Sequence, residues 1–160
     1  MSINSDFRDL LKILNDCSVR YLIAGGYAVM YYTEPRFTKD IDIWVEPTPA
    51  NAKKVWEALA AFGAPLERVS LDDFCNKELI YQIGVAPNRI DIMMDIPGVD
   101  FEEAWAKRIQ SGYGDVSIYI LSLDHLITAK EKAGRDQDLL DLKYLKAIQS
   151  NNNTAMEESI

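Results

Sequence analysis

The sequence predicts an α/β (α+β) protein, in which a mixed β-sheet is flanked by helices and further helices follow at the C-terminal end. Short apolar segments suited to strands alternate with longer segments whose apolar residues recur every three or four positions. The length of 160 residues and the hydrophobic fraction of 48% fit one core of ordinary size. We therefore expect a single domain over residues 1–150. Residues 151–160 are polar and lack periodicity, which predicts a disordered tail.

The N-terminal half alternates helix and strand. Its expected elements are a helix from about residue 5, a strand over 21–26, a helix from about residue 26, a strand over 41–47 and a helix over 49–63. Ser5 and Asp6 precede the first apolar repeat and are suited to capping a helix N-terminus. Pro47 is expected to end the second strand, and Gly63 to close the helix that follows it.

The C-terminal half continues the sheet and then becomes helical. Its expected elements are strands over 79–85 and 89–96, a helix over 101–109, a strand over 116–121 and helices over 122–134 and 136–148. Ala86, Pro87 and Asn88 form a short connection, so the first two strands should pair as a hairpin. Ser122 and Asp124 are suited to capping the helix that they begin.

Composition excludes several functional classes. The apolar runs are far shorter than the roughly 20 residues needed to cross a bilayer, and no secretory signal pattern opens the sequence, so a cytoplasmic location is expected. The net charge of -8 argues against broad, non-specific attraction to nucleic acid. Cys17 and Cys75 are too few for a disulfide scaffold, and His125 is the only histidine. Any bound metal should therefore have oxygen ligands.

Three aspartates in strand-like segments are candidate metal ligands. Side chains alternate along a strand, so Asp40 and Asp42 project to the same face. Neighbouring carboxylates repel one another unless a cation separates them, and magnesium prefers such oxygen ligands. Asp91 lies between two isoleucines in a later strand and is a third candidate, with Asp95 as its competitor. In the alternative interpretation, one aspartate of the pair caps a turn and the other is solvated.

A glycine pair precedes these aspartates. Gly25 and Gly26 stand where a strand gives way to a helix. Without Cβ atoms the backbone can approach a phosphate group closely, and the N–H groups of a helix terminus can bind its oxygens. The alternative is an ordinary tight turn.

Taken in order, the segments IAGGYAVMYY, RFTKDIDIWVE and RIDIMMD resemble the nucleotidyltransferase superfamily that includes DNA polymerase beta. The resemblance spans residues 21–96. It implies transfer of a nucleoside monophosphate from a nucleoside triphosphate (NTP) to an acceptor hydroxyl, with pyrophosphate leaving. It also implies that Asp40, Asp42 and Asp91 are catalytic and bind two Mg²⁺ ions.

The segments RFTKDID and AKEKAGRDQDLLDL more particularly resemble small bacterial enzymes related to AbiEii-type toxins, which extends the similarity to about residue 145. This resemblance makes a set of polar residues candidates for binding the nucleotide or orienting the site: Lys130, Arg135, Asp138 and Asp141. Arg36 and Lys39, just before the aspartate pair, are candidates for neutralising phosphate charge. Alternatively, Lys130 and Asp138 form exposed helix-surface pairs worth a few tenths of a kcal/mol, and Arg36 and Lys39 are ordinary solvated loop charges.

The sequence does not identify the acceptor molecule. An RNA such as tRNA, a protein or a small molecule would each fit, and a toxin-type enzyme implies an antitoxin partner. A second hypothesis is an antibiotic nucleotidyltransferase of the lincosamide or aminoglycoside type, which uses the same chemistry on a small hydroxylated drug. A third is a regulatory module that binds a nucleotide without catalysis.

Overall fold

The computed structural model of the chain describes residues 3–33, 40–85 and 88–158. Within these ranges, helices and strands follow one another along the chain, with a short 3₁₀ turn at Leu71–Cys75. The elements in chain order are α1 (Ser5–Asp16), β1 (Tyr21–Ala24), α2 (Gly25–Tyr32), β2 (Asp40–Val45), α3 (Pro49–Phe62), β3 (Ile80–Ile83), β4 (Arg89–Met93), α4 (Phe101–Ala106), β5 (Ile109–Tyr113), β6 (Val116–Ile120), α5 (Leu123–Ala133) and α6 (Asp136–Glu158).

The strands form one mixed sheet in the order β3-β4-β2-β1-β6-β5. β2 pairs in parallel with β4 and antiparallel with β1, and β1 pairs in parallel with β6. The outer pairs, β3 with β4 and β5 with β6, are antiparallel. The predicted fold class is confirmed, as is the hairpin arrangement of the strands on either side of residues 86–88.

Apolar residues of the central strands form the core. In β2, Ile41 and Ile43 have no exposed surface, whereas Asp40 and Asp42 are half-buried. α1 packs against α3, and α2 packs against α5 and α6. Burial of the alternate apolar residues thus fixes the face on which the aspartates of β2 stand.

Several helix boundaries follow the predicted signals. Gly63 and Gly134 close α3 and α5 with left-handed backbone conformations, and the Ser122 hydroxyl accepts a hydrogen bond from the His125 amide at the start of α5. The cap of α1 is Asn4, not Ser5 or Asp6, because its side chain accepts hydrogen bonds from two first-turn amides.

The structure differs from the sequence-based elements in two places. The helix expected over 101–109 ends at Ala106, and Ile109 begins β5, a strand that the sequence did not predict. β5 lies at the edge of the sheet, so most of its residues are exposed and the apolar alternation of a half-buried strand is missing. α6 extends to Glu158, whereas we expected disorder from residue 151. Adding residues to an existing helix costs little free energy, because each further residue adds a backbone hydrogen bond without a new nucleation step.

Among the residues that the structure describes, no helix is both long and apolar enough to cross a membrane.

Candidate active site

The three predicted carboxylates meet where β2 lies beside β4. Asp42 stands directly opposite Asp91 in the parallel pairing, and Asp40 stands opposite Arg89. Residues paired in this way point to the same face of a sheet, and alternation puts Asp40 on the face of Asp42. The pairing of two strands far apart in sequence therefore brings all three aspartates to one place.

A guanidinium group lies between two of these carboxylates. Arg89 Nε and a terminal nitrogen donate to the two oxygens of Asp91 at 2.9 and 3.2 Å. The guanidinium also lies 3.1 Å from Asp40 Oδ2. Together these contacts raise the pKa of Arg89, with the hydrogen bonds to Asp91 as the largest cause. Arg89 is therefore the cation that balances Asp40 and Asp91.

Asp42 is less well compensated. Its pKa is raised to about 6, first by burial and then by the negative charges of Asp91 and Asp40, although Lys130 acts in the opposite direction. Asp40 Oδ1 is buried and has no hydrogen-bond partner among the described residues. The cluster thus contains negative charge that an additional cation would stabilise.

The glycine pair lies against the same cluster. Gly25 begins α2 with a φ of +60°, and a Cβ built on it would overlap the Asp42 carboxylate, lying 2.7 Å from Asp42 Cγ. The residue before it, Ala24, provides no side-chain hydrogen bond to the helix terminus. The first N–H groups of α2 therefore lie beside the aspartates without a side-chain cap.

A second charged cluster joins α5 to α6. The Lys130 ammonium lies 3.0 Å from Asp138 Oδ1 and 3.1 Å from Asp141 Oδ2. Arg135 donates to Asp138 from its backbone N–H and its guanidinium, which lowers the pKa of Asp138 to about 2 against the opposing effect of burial. The aspartates are fully buried, whereas the side chain of Arg135 is 76% exposed. The two carboxylates therefore hold Lys130 in a fixed position.

Both clusters line one open cleft of about 820 Å³. The site residues predicted from the sequence that line this cleft are Gly25, Gly26, Asp40, Asp42, Asp91, Lys130, Arg135 and Asp138. Asp95, the competitor of Asp91, lies past the end of β4, is exposed and contributes to the wall. Arg36 and Lys39 fall outside the described residues, so their predicted roles stay predictions.

The donor set suits a hard divalent cation, although it is not arranged as a ready metal site. No group of three or more Asp, Glu, His or Cys side chains in the described ranges is placed to hold a metal ion as it stands. Arg89 contacts oxygens of Asp40 and Asp91 in this arrangement. Three neighbouring carboxylates, one with an unpartnered buried oxygen, nevertheless fit the chemistry of magnesium once the guanidinium moves away.

Sequence reasoning did not single out Arg89. The signal was present, because Arg89 precedes Asp91 by two residues and alternation therefore puts both on one face of a strand. Its second partner, Asp40, became evident only from the register of β2 with β4.

Comparison with known structures supports the fold. The lincomycin-bound lincosamide antibiotic adenylyltransferase LnuA is 19% identical, covers 91% of this chain and 97% of its own, and superposes with a TM-score of 0.59. A putative nucleotidyltransferase from Thermotoga maritima is 18% identical, with coverages of 89% and 93% and a TM-score of 0.59. The antibiotic-resistance factor ANT(2'')-Ia is 10% identical, with coverages of 97% and 95% and a TM-score of 0.56. At these identities the similarity establishes the fold alone.

Comparison of sequences identifies the family. No curated protein matches the chain significantly. A family model, however, matches residues 1–160, and its description is "Nucleotidyltransferase of unknown function (DUF6036)". The superfamily that the glycine pair and the three aspartates predicted is thereby confirmed. The chain belongs to this nucleotidyltransferase family and is an enzyme of that class.

Proposed function

We propose that this nucleotidyltransferase moves a nucleoside monophosphate from an NTP to an acceptor hydroxyl, using Mg²⁺ held by Asp40, Asp42 and Asp91. One observation carries the proposal. The register of β2 with β4 brings Asp42 opposite Asp91, in a cleft that Gly25 and Lys130 also line. Carboxylates beside a glycine-rich helix start, with a lysine nearby, suit a substrate that carries several phosphate groups.

The aspartates would act on both substrates. When bound, divalent ions would lower the pKa of the acceptor hydroxyl and neutralise charge on the triphosphate. The hydroxyl oxygen forms a bond to the α-phosphorus while the bond from that phosphorus to the bridging oxygen breaks, and pyrophosphate leaves. Asp91 accepts the hydroxyl proton in this scheme, which requires Arg89 to release the carboxylate oxygens of Asp91.

Two other groups would hold the nucleotide. The uncapped N–H groups at the start of α2, at Gly25 and Gly26, are suited to donate to phosphate oxygens. Lys130 supplies positive charge, and Asp138 fixes its position because both carboxylate oxygens of Asp138 are engaged within the chain. The exposed guanidinium of Arg135 is a further phosphate contact in this proposal, as are Arg36 and Lys39 by the resemblance.

The acceptor defines the biological role. LnuA is an adenylyltransferase of lincosamide antibiotics, and a small hydroxylated drug is one acceptor class for this chain. A toxin-type role would instead use a tRNA or a protein and would involve an antitoxin partner. Expression of wild type and Asp40→Ala in the same host separates these roles, since a toxin arrests growth only when active and a resistance enzyme protects only when active.

Labelled NTPs test the reaction itself. Wild type is incubated with each α-phosphate-labelled NTP, Mg²⁺ and either a cell extract or a lincosamide, and transfer of label is measured. Asp40→Ala should stay folded and lose several orders of magnitude in rate, because metal-assisted charge stabilisation is worth several kcal/mol. Asp115→Ala is the matched control, since Asp115 also pairs with an arginine, Arg8, but does not line the cleft. Binding of NTP without any transfer would favour a regulatory module.

A further inference from the structure

The guanidinium of Arg89 lies between two of the carboxylates that the proposed function assigns to a metal ion. It makes three contacts of 2.9–3.2 Å, two with Asp91 and one with Asp40. Its side chain is 34% exposed and lines the cleft. The Arg89 guanidinium is therefore neither fully buried in the core nor fully exposed to solvent.

These contacts use oxygens that a divalent ion also needs. Both oxygens of Asp91 accept hydrogen bonds from Arg89, and one oxygen of Asp40 lies within ion-pair distance of its guanidinium. Asp40 Oδ1 has no hydrogen-bond partner among the described residues. A metal ion that binds all three aspartates would bring a divalent charge close to the guanidinium, and the two cations repel at such a distance. Binding of the metal and pairing of Arg89 are thus in competition.

The same contacts have a benefit before the metal arrives. Without a cation, the charges of Asp40 and Asp91 would repel across paired strands, and like charges at such positions destabilise a sheet. Arg89 holds the two carboxylates at the mouth of the cleft, on the face where Asp42 also stands. Because its pairing is partly exposed, displacing it costs only a modest free energy.

We propose that Arg89 is a positioning residue that acts as an internal counter-ion. It holds Asp40 and Asp91 in place in the metal-free protein, and it releases their carboxylate oxygens when the divalent ion binds. This inference depends on the metal site of the proposed function. It adds that the apparent metal affinity of this protein is set by competition with its own arginine.

Binding of Mn²⁺ to the metal-free full-length protein, measured by calorimetry in the absence of nucleotide, tests the proposal without using activity. Arg89→Gln removes the competing charge and should bind Mn²⁺ more tightly than wild type by roughly two- to fivefold, the range expected for partly exposed ion pairs. Arg89→Lys keeps the charge but not the bidentate geometry, so its Mn²⁺ affinity should fall between those of wild type and Arg89→Gln.

Arg8→Gln is the matched control for the change in net charge. Arg8 also pairs with a carboxylate through two nitrogens, at 2.9 and 2.7 Å from Asp115, but does not line the cleft. It should bind Mn²⁺ as wild type does. A parallel thermal melt in EDTA should show Arg89→Gln less stable than wild type, and Mn²⁺ should raise its melting temperature by more than that of wild type.

The outcomes separate this inference from the proposed function. Equal or weaker Mn²⁺ binding by Arg89→Gln, with wild type binding normally, overturns the counter-ion role and leaves the metal site intact. An equal gain in Arg8→Gln overturns it as well, because net charge alone would then explain the effect. If neither wild type nor Arg89→Gln binds Mn²⁺, the metal site of the proposed function fails and the inference fails with it.

Discussion

Replacing Gly25 with alanine should lower both the stability of the protein and its catalytic rate. Two separate effects follow from the structure. Gly25 has a φ of +60°, a conformation that costs an alanine about 1–2 kcal/mol. The new Cβ would also lie 2.7 Å from Asp42 Cγ and 3.0 Å from Asp42 Cβ, so Asp42 must move.

The backbone of β2 has little freedom to relieve this overlap. Ile41 and Ile43, on either side of Asp42, are fully buried, so a shift of the strand would disturb the core. The carboxylate must therefore rotate away, by an amount on the order of 1 Å, which is enough to reduce catalysis by about 100-fold. Overpacking adds about 1–3 kcal/mol to the loss of stability.

Gly114→Ala separates the two effects. Gly114 has a φ of +61°, but a Cβ there would meet no atom closer than 3.6 Å, so this variant carries the conformational cost without the overlap. Unfolding in urea and transfer of labelled nucleotide are measured for both. Gly114→Ala should lose about 1–2 kcal/mol and keep its activity. If Gly25→Ala is as active as Gly114→Ala and equally stable, the placement of Gly25 against Asp42 is wrong.

Three further predictions concern charge. The pKa of Asp42 is about 6 in the folded chain against 3.8 for a free side chain, so ionisation opposes folding and stability should fall by up to about 3 kcal/mol as pH rises from 4 to 7. In EDTA, Asp42→Asn should therefore match wild type in melting temperature near pH 4 and exceed it at pH 7.5, and an equal difference at both pH values would contradict this cause. Lys130→Met should cost about 3–5 kcal/mol in urea unfolding, because it removes the ammonium that contacts both buried carboxylates, Asp138 and Asp141. Arg135→Gln, at an exposed side chain, should cost at most about 1 kcal/mol, and similar losses in the two variants would refute the distinction. The pKa of Asp138 is lowered to about 2, so its stabilising contribution should be present above about pH 4 and disappear as the pH falls toward 2, and this acid-dependent loss should be absent in Asp138→Asn.

Short-range patterns account for most of what could be predicted. Alternation in β2 placed Asp40 and Asp42 on one face, and glycine at positions 63 and 134 marked the ends of two helices. These features depend on neighbouring residues alone, so one sequence suffices to find them. β5 escaped prediction because an edge strand buries little, and its apolar alternation is correspondingly absent.

In the candidate site, too, some features follow from the sequence and others only from the tertiary structure. By itself, the sequence determined which residue types were available: a glycine pair, three aspartates in strands and a lysine-containing helix followed by an R-D-x-D-x-x-D segment. Only the tertiary structure decided that Asp42 faces Asp91, that Arg89 joins Asp91 to Asp40 and that Lys130 is held by two buried carboxylates. The physical reason is that strand register and helix packing are set by burial of the whole core, which brings together charges from different strands and helices.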